Sequence, residues 1–564
     1  MHINEEMMKK IIECVPNFSE GNDEAIISQI ADAIRNTAGA KLLDVDPGKA
    51  TNRTVMTLVG DEEAVVEAAF NAIKKAQELI DMRKHKGEHP RFGATDVCPF
   101  IPIANATMED CIACAKKLGE RVGKELQIPV YLYENAASSI ERKNLAAVRA
   151  GEYEGIAKKI QEPTWTPDFG DAKWNEKSGN IAIGARDLLI AYNVNLNTTS
   201  VRRANSVAFD IREQGRVQKD SDGKTLKDAA GNEVRIAGTC KSVKGIGWFI
   251  EEYGVAQVSM NLTNINETPL HKAFDECNAS AFHRGMRVTG SELVGLVPLS
   301  AMLDAAKYFL RKQKRSVGIS EAELIKIAIK SMGLDELTPF DPQKKIIEYV
   351  MADQNEGRLV KMDLVSFANE TASESPAPGG GSISAYCGAL GVSLGVMVAN
   401  LSSHKAGWDN RWEEFSAWAE KGQLLKDKLL KLVDEDTNAF NKIMDSFSLP
   451  KSTDAEKVTR SVAIQAATKY AIEIPFEVMK TAFASMEMIK EMAANGNPNS
   501  VSDAGVGALC VRTAVMGAYL NVKINASGLK DKVYTMEVIE AAEEIMQATS
   551  ILEKEVIDIV LSKV

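Results

Sequence analysis

The residues best suited to chemistry form a short polar run, His85–Arg91, which holds two of the six histidines of the chain. The H-x-x-x-H spacing of His85 and His89 would suit a metal ion only in a helix, and Pro90 disfavours helix at the residue before it. We therefore expect no metal here. A neutral imidazole on a loop is suited to proton transfer near neutral pH. On residue type alone, two solvated loop histidines are an equal alternative.

Four charged residues near this run are candidates for holding a charged substrate. Asp46 ends one predicted strand, Arg53 begins the next, and Arg91 and Asp96 follow His89 closely. Carboxylates would orient a cation, and guanidinium groups hold carboxylates through paired hydrogen bonds. Polar residues at strand ends are common in sites and also in caps and turns, so both interpretations stay open.

A second group of polar residues, Asp434–Asn438, lies on one predicted helix. Residues 434 and 438 share a helical face, whereas Asp436 points elsewhere. By spacing alone, a solvated acidic face is the simpler interpretation. The turn Pro378–Ser382 precedes an apolar helix and offers free N–H groups to an anion. It lacks the lysine of a nucleotide-binding loop, and by composition it is a linker or a cap.

Composition limits the class of protein. A chain of 564 residues is too long for one core, so two to four domains are expected. The net charge of -11 argues against binding to nucleic acid or to an anionic membrane surface. Eight dispersed cysteines indicate a reducing compartment, which we take to be the cytoplasm, and Cys111-x-x-Cys114 fits packed thiols better than a zinc or redox site.

The pattern of apolar residues predicts several domains: a two-lobed α/β (α+β) sandwich followed by an all-α domain. A buried strand is predicted at 42–46, and further strands are predicted at 54–60, 130–133, 188–194 and 256–262. Asp61 is expected to cap a helix. A polar hairpin is expected at 217–240. Predicted helices of the second part lie at 382–402, 410–446, 453–493, 501–528 and 534–562. The predicted domains are 1–188, 189–341 and 362–564, with a linker at 342–361.

The predicted helix 382–402 is almost uncharged and long enough to span a bilayer. It is poor in Leu, Ile and Phe, and its glycines allow helices to approach closely. We interpret it as a helix buried in a bundle or a subunit interface, and we expect a homo-oligomer formed through the helical domain rather than a membrane protein.

Several motifs of residues 11–350 together resemble the formimidoyltransferase family. They are Cys14–Gly21, Leu43–Asp46, Asn52–Val55, His85–Arg91, Asp96–Pro102, Arg149–Tyr153 and Gly245–Trp248. The turn Pro378–Ser382, the segment Leu432–Asp436 and Ser502–Asp503 are similar to the cyclodeaminase family, over about 362–564. The chain therefore resembles an enzyme in which a transferase is fused to an ammonia lyase.

The resemblance implies site residues. The catalytic histidine of the transferase family falls on His89, and the catalytic aspartate of the cyclodeaminase family falls on Asp436. The folate-binding loop, whose residues differ here after Gly170, falls on Gly170, Asp171, Ala172, Lys173, Trp174, Asn175, Glu176, Lys177, Ser178 and Gly179.

The implied substrates are N-formimino-L-glutamate and tetrahydrofolate, the latter as a co-substrate with one or more glutamates. The formimino group would move to N5 of tetrahydrofolate, and ring closure would then release ammonia and give 5,10-methenyltetrahydrofolate, in histidine degradation and folate one-carbon metabolism. One histidine can move both protons of the transfer, and one carboxyl group can protonate the departing nitrogen. The alternatives are a folate-binding or scaffold protein with decayed sites, and an amidine hydrolase that needs no folate.

Overall fold

The computed structural model describes residues 10–48, 52–86, 91–251, 253–351 and 357–564. The chain packs into two compact units. The first contains residues up to Ala301 and also Met332–Met351, and the second contains Met302–Ser331 and the rest of the chain to Val564.

The first lobe of the first unit is a mixed sheet of seven strands within the described residues, in the order β1-β4-β2-β5-β7-β6 with β3 paired to β4. The strands β5, β7 and β6 are parallel to one another, and the other pairs are antiparallel. The strands are β1 (Ile11–Cys14), β2 (Asn17–Phe18), β3 (Lys41–Gly48), β4 (Arg53–Gly60), β5 (Thr95–Ala104), β6 (Val130–Glu134) and β7 (Ile181–Ala185). The helices are α1 (Glu24–Arg35), α2 (Glu62–Leu79), α3 (Met108–Arg121), α4 (Leu145–Arg149) and α5 (Glu152–Lys159).

Local sequence explains the first helices and strands. The Asp61 carboxylate accepts a hydrogen bond from Ala64 N at 2.9 Å and so caps α2, as predicted. The apolar face of this helix, which includes Val65 and Ile73, is fully buried in the core of the lobe. The prediction that 42–46 is a buried strand was wrong in its burial: β3 is an edge strand and its side chains are half-buried or exposed.

The second lobe is an antiparallel sheet of four strands within the described residues, in the order β11-β12-β8-β13. Two short strands, β9 (Arg216–Val217) and β10 (Arg235–Ile236), form the predicted hairpin. The larger strands are β8 (Ile190–Leu196), β11 (Val243–Ile250), β12 (Val255–Leu262) and β13 (Val288–Val294), and the helices are α6 (Val201–Ile211) and α7 (Leu270–His283).

Two further helices, α8 (Leu299–Lys312) and α9 (Glu321–Met332), lie mostly in the second unit, and α10 (Pro342–Lys345) and α11 (Ile347–Met351) belong to the first. The connection between α8 and α9 packs against the helical bundle: Val317 N donates to Ser416 Oγ at 3.0 Å, and Asn400 Nδ2 donates to Gly318 O at 2.8 Å. The domain limits given above stay predictions, and the packing adds residues 302–331 to the helical unit.

The second unit is helical, and the described part of the chain has no strand after Val294. This arrangement confirms the predicted fold class. The remaining helices are α12 (Leu364–Thr371), α13 (Gly380–Ser403), α14 (Trp412–Ser448), α15 (Asp454–Phe483), α16 (Met486–Asn495), α17 (Val501–Ala526) and α18 (Lys532–Leu561).

The single helix predicted over 453–493 was wrong. The helix α15 ends at Phe483, and residues 484–485 form a turn in which the buried Ser485 hydroxyl donates to Ala482 O at 2.6 Å. The next helix, α16, begins at Met486. Two helices, Gly380–Ser403 and Pro498–Ala526, are long and apolar enough to cross a membrane. Within the helical unit, 61% and 50% of their most apolar windows are buried, as in core helices.

Candidate active sites

The structure describes the chain on both sides of His89, but His89 itself, with Gly87, Glu88 and Pro90, lies outside the described residues. On the N-terminal side of His89, Asn52 holds residues 85 and 86 in place. Its carbonyl oxygen lies 2.8 Å from His85 Nε2, and its amide Nδ2 donates to Lys86 O at 2.8 Å. Its Oδ1 accepts from Gly21 N at 2.9 Å.

On the C-terminal side of His89, the predicted folate loop and the residue after it are hydrogen-bonded to residues 92 and 94. Asn180 N donates to Phe92 O at 3.1 Å, and Ala94 N donates to Ser178 O at 2.7 Å. A Cβ atom at Gly93 would overlap the carbonyl oxygen of Asn180, so this close approach requires glycine. The loop is also hydrogen-bonded to the chain before His89, because Met82 N donates to Lys177 O at 2.9 Å.

The two ends of the loop have different surroundings. Gly170 N would lie 2.5 Å from a Cβ atom at Gly123, so the start of the loop packs against the end of α3. Toward its other end, Trp174 packs against Tyr153 with ring centroids 6.1 Å apart. Trp174 Nε1 and the Ser178 hydroxyl are buried without a hydrogen-bond partner within the described residues. These two groups are the best candidates for contacts to a ligand in the loop.

Two of the four predicted charged residues meet in a buried cluster. Asp96, whose side chain is 1% exposed, accepts from Arg53 at 2.7 Å and from Arg149 at 2.8 Å. Asn17 Oδ1 accepts from Arg53 Nε and Nη2 at 3.0 and 2.7 Å, and so fixes the guanidinium. Guanidinium groups bind carboxylates through paired hydrogen bonds, so Arg53 and Arg149 are candidates for holding a carboxylate of a substrate. The sequence reasoning missed Arg149 as a site residue, although it begins the motif Arg149–Tyr153.

The other two predicted residues lie apart from this cluster. Arg91 forms an ion pair with the exposed Glu154 of α5, and its carbonyl oxygen accepts from Tyr153 N at 2.8 Å. Asp46 is exposed on the edge strand β3, opposite Val55.

A hydrogen-bonded row of three side chains crosses the sheet of the second lobe and was not predicted from the sequence. Trp248 Nε1 donates to Gln257 Oε1 at 3.0 Å, and Gln257 Nε2 donates to Asn195 Oδ1 at 2.8 Å. The three residues are directly opposite one another on β11, β12 and β8. Gln257 and Asn195 are fully buried, whereas the Trp248 side chain is part-exposed. The row holds the indole in one orientation. The alternation of polar residues in β8 and β12 was the available signal.

In the helical unit, Asp436 meets the glycine-rich turn, a contact that was not predicted from the sequence. Its Oδ2 atom accepts from Ser382 N at 2.9 Å and lies 3.1 Å from the Ser382 hydroxyl, which shares its one hydrogen with Val433 O at 2.8 Å. The N–H group that the start of α13 offers to an anion is thus used by a carboxylate of the chain itself. Burial raises the pKa of Asp436, and the two hydrogen bonds from Ser382 oppose that rise. A larger fraction of this carboxyl group is therefore protonated than in water.

Asp436 borders a cavity of about 140 Å³. Its wall comes from the turn before α13 and from α14, α15 and α17, and it includes Gly380, Phe440, Ala471, Asn521 and Asn525. A Cβ atom at Gly381 would overlap the carboxylate of Asp436. Glycine at this position lets the helix start approach the acid.

The neighbours of Asp436 have other partners. Asp434 accepts from Leu359 N at 2.8 Å and from Val360 N at 3.3 Å, and so fixes the chain before α12. Glu435 accepts from the Tyr470 hydroxyl. The helical geometry therefore separates Asp436 from both acids, and only Asp436 faces this cavity.

The predicted packing of the two cysteines of α3 has a structural counterpart. Cys111 and Cys114 are buried on α3, and burial raises the pKa of each thiol to about 12. Such thiols are unreactive, in agreement with packing. Within the described residues, no group of three or more His, Cys, Asp or Glu side chains is arranged to hold a metal ion.

Three protein-family profiles match consecutive parts of the chain. "Formiminotransferase domain, N-terminal subdomain" matches residues 11–186, "Formiminotransferase domain" matches 191–352, and "Formiminotransferase-cyclodeaminase" matches 363–544. The formimidoyltransferase-cyclodeaminase of Gallus gallus is 42% identical over 541 residues, which cover 96% of this chain and 97% of the relative.

The chain belongs to the formimidoyltransferase-cyclodeaminase family.

Members and relatives of the formimidoyltransferase-cyclodeaminase family also match each part separately. A glutamate formimidoyltransferase of Streptococcus pyogenes is 42% identical over 304 residues, covering 54% of this chain and 94% of the relative. A methenyltetrahydrofolate cyclohydrolase of Methylorubrum extorquens is 33% identical over 199 residues, covering 35% of this chain and 96% of the relative. The predicted family is thus confirmed, and the relatives are enzymes by name.

Proposed function

We propose that this chain transfers the formimino group of N-formimino-L-glutamate to N5 of tetrahydrofolate, releases glutamate, and then closes the product to 5,10-methenyltetrahydrofolate with release of ammonia. The observation that carries the proposal is the Asp436 site. A carboxyl group with a raised pKa borders a cavity at a glycine-rich helix start, in a chain similar over its length to bifunctional relatives.

In the first reaction, N5 of tetrahydrofolate attacks the formimino carbon. His89 takes the proton from N5 and returns it to the departing glutamate nitrogen. Arg53 and Arg149 bind a carboxylate of the substrate, and Asp96 positions both guanidinium groups because it is already paired with them. Asp46 then orients the cationic formimino group. Arg91, which lies apart from the buried cluster, is a second contact for a carboxylate of the substrate.

Tetrahydrofolate, with one or more glutamates, binds along the loop Gly170–Gly179. Two features support this proposal: the loop is hydrogen-bonded to the chain on both sides of His89, and it has buried donors on Trp174 and Ser178. Trp248 offers a fixed aromatic surface in the second lobe. No metal enters this chemistry, because amine attack on an amidinium carbon needs only proton transfer and charge stabilisation.

In the second reaction, N10 attacks the formimino carbon and the bond from that carbon to the formimino nitrogen breaks. Asp436 in its acid form protonates the departing nitrogen, and its carboxylate then stabilises the cationic methenyl product. The raised pKa of Asp436 favours the first of these roles.

The proposed setting is the cytoplasm, with self-association through the helical domain. Leu390, Met397 and Leu401 lie on one face of α13, and Leu390 and Leu401 are 45% and 46% exposed on a helix that is otherwise mostly buried. Light scattering of Leu390→Glu would test self-association: we expect a smaller particle, and an unchanged mass would contradict the interface.

A two-product assay of the purified chain tests the proposed function. With formiminoglutamate and tetrahydrofolate, glutamate and ammonia should appear in equal amounts with the absorbance of the methenyl product. Turnover without folate would instead indicate an amidine hydrolase, and no turnover at all would indicate a binding protein with decayed sites. Hydrolysis of supplied methenyltetrahydrofolate without any ammonia release from the formimino compound would indicate a cyclohydrolase.

A further inference from the structure

Two asparagines one helical turn apart share the cavity with Asp436. Asn521 and Asn525 lie on α17, and both line the cavity of about 140 Å³. Asn521 also contacts the start of α13, because its Oδ1 atom would lie 3.8 Å from a Cβ atom at Gly380. Neither asparagine belongs to the motifs that indicated the site.

Each amide nitrogen carries two hydrogens, and one of them is already used in each residue. Asn521 Nδ2 donates to Gly517 O at 2.9 Å, and Asn525 Nδ2 donates to Ala471 O at 2.7 Å. These bonds fix which end of each planar amide faces the backbone. Within the described residues, the Oδ1 atom of neither asparagine accepts a hydrogen bond, so both carbonyl oxygens remain as acceptors beside the cavity.

Two neutral acceptors next to one carboxyl group suit a ligand end that carries only N–H donors. The formimino group is such an end, because its nitrogen carries two hydrogens when protonated and leaves as ammonia. A formyl group of the same shape presents an oxygen instead. That oxygen would face the asparagine oxygens with no hydrogen between them, and unpaired polar atoms in a closed site are costly.

We propose that the Oδ1 atoms of Asn521 and Asn525 bind the N–H groups of the formimino nitrogen, direct it toward Asp436, and select 5-formimino- over 5-formyltetrahydrofolate. This inference rests on the proposed function. During the step, N10 forms a bond to the formimino carbon and loses its proton, the carbon–nitrogen bond breaks, and that nitrogen leaves with its two hydrogens and one more as ammonia. No electrons are exchanged with another compound.

The test uses the full chain with Asn521→Leu and Asn525→Leu, which keep side-chain size and remove the acceptors. With supplied 5-formiminotetrahydrofolate, KM should rise about tenfold to a hundredfold in each variant, the range for a lost hydrogen bond to a charged group. Inhibition by 5-formyltetrahydrofolate should stay equal or become stronger. Asn495→Leu, an exposed asparagine of α16 outside the cavity, is the matched control and should change neither constant.

A comparison of the 5-formimino and 5-formyl compounds distinguishes recognition of the formimino nitrogen from a general role of the asparagines in packing. An equal loss of affinity for both ligands, or an unchanged KM for the formimino compound, would overturn the proposal. A helical content and thermal midpoint equal to those of the unaltered chain show that a variant is folded, and either variant alone suffices if the other is unstable. If the unaltered chain releases no ammonia from 5-formiminotetrahydrofolate, the proposed function itself fails, and this result is distinct from the others.

Discussion

Ser382 approaches Oδ2 of Asp436 with its backbone N–H at 2.9 Å and with its hydroxyl at 3.1 Å, and the hydroxyl shares its one hydrogen with Val433 O at 2.8 Å. Both bonds favour the carboxylate and oppose the effect of burial on its pKa. The same residue thus lies in the first turn of the apolar helix α13 and affects how readily Asp436 gives up its proton.

Ser382→Ala removes the hydroxyl bond and keeps the backbone bond. We expect the pKa of Asp436 to rise further, and the fall of cyclisation rate at high pH to move up by roughly 0.5–1 pH unit. The measurement is ammonia release from supplied 5-formiminotetrahydrofolate between pH 5 and 9. Ser384→Ala is the control, because its hydroxyl bonds to Gly380 O instead. A shift to lower pH would show that Asp436 does not act as an acid.

Gly381→Ala should disable the second reaction alone. The added Cβ atom would overlap the carboxylate of Asp436, so the acid or the start of α13 must move. Since a small displacement of a catalytic group slows its reaction strongly, we expect the rate of cyclisation to fall about a hundredfold. The rate of glutamate release should not change. Gly528→Ala is the control, because Gly528 does not line the cavity and a Cβ atom there would have its nearest neighbour, Thr468 Cγ2, at 3.6 Å. Equal cyclisation rates for the two variants would contradict the geometry.

Arg149→Gln should affect the first reaction more than Arg91→Gln. Arg149 shares the buried Asp96 with Arg53, whereas Arg91 pairs with the exposed Glu154. Loss of a bond to a buried charge should raise KM for formiminoglutamate by about tenfold or more, and the exposed pair should contribute little. Steady-state kinetics of glutamate release would decide, and a larger effect of Arg91→Gln would place the carboxylate site elsewhere.

Glu13→Gln should make the protein less sensitive to alkaline pH. Burial raises the pKa of Glu13 to about 7 from 4.5, with Arg186 opposing. Because the pKa of Glu13 is higher in the folded protein than in the unfolded chain, the protonated side chain favours folding. This contribution to the free energy of unfolding is complete below pH 4.5 and is lost as the pH rises through about 7. The loss is at most about 3 kcal/mol.

The measurement for Glu13 is the thermal midpoint at pH 5 and at pH 8. The midpoint of Glu13→Gln should fall less between the two than that of the unaltered chain. Glu63→Gln, an exposed position on α2, should behave like the unaltered chain. A larger fall for Glu13→Gln would mean that the ionised carboxylate stabilises the fold.

The sequence predicted the long helices of the second unit and the strands β3, β4, β6, β8 and β12, because apolar periodicity and caps are local signals. Asp61 capping α2 and the apolar pattern of α13 are examples. The break at Ser485 was missed because it depends on one side chain that bonds back to its own helix. The place of residues 302–331 was missed because their partners, such as Ser416, are about a hundred residues away.

Motifs located the two sites, but they did not reveal how each site is assembled. Asp436 and the glycine-rich turn were found separately, and only the fold shows the contact between Asp436 and Ser382. Arg149 was overlooked because its partner Asp96 is distant in sequence, and Asn521 because an asparagine in an apolar helix gives no pattern of its own.

The central claim is that two separate sites act in sequence, one with His89 and one with Asp436. The most direct measurement uses His89→Ala and Asp436→Asn, each alone and then mixed, with formiminoglutamate and tetrahydrofolate. His89→Ala should release no glutamate but close supplied 5-formiminotetrahydrofolate. Asp436→Asn should release glutamate, while ammonia and the methenyl absorbance lag by about a hundredfold to ten-thousandfold.

Mixing the two variants should restore methenyl formation from the first substrates, because the free intermediate can pass from one variant to the other. If each variant alone completes both steps, or if the mixture forms no methenyl product although each variant retains its own half-reaction, the two-site account is contradicted.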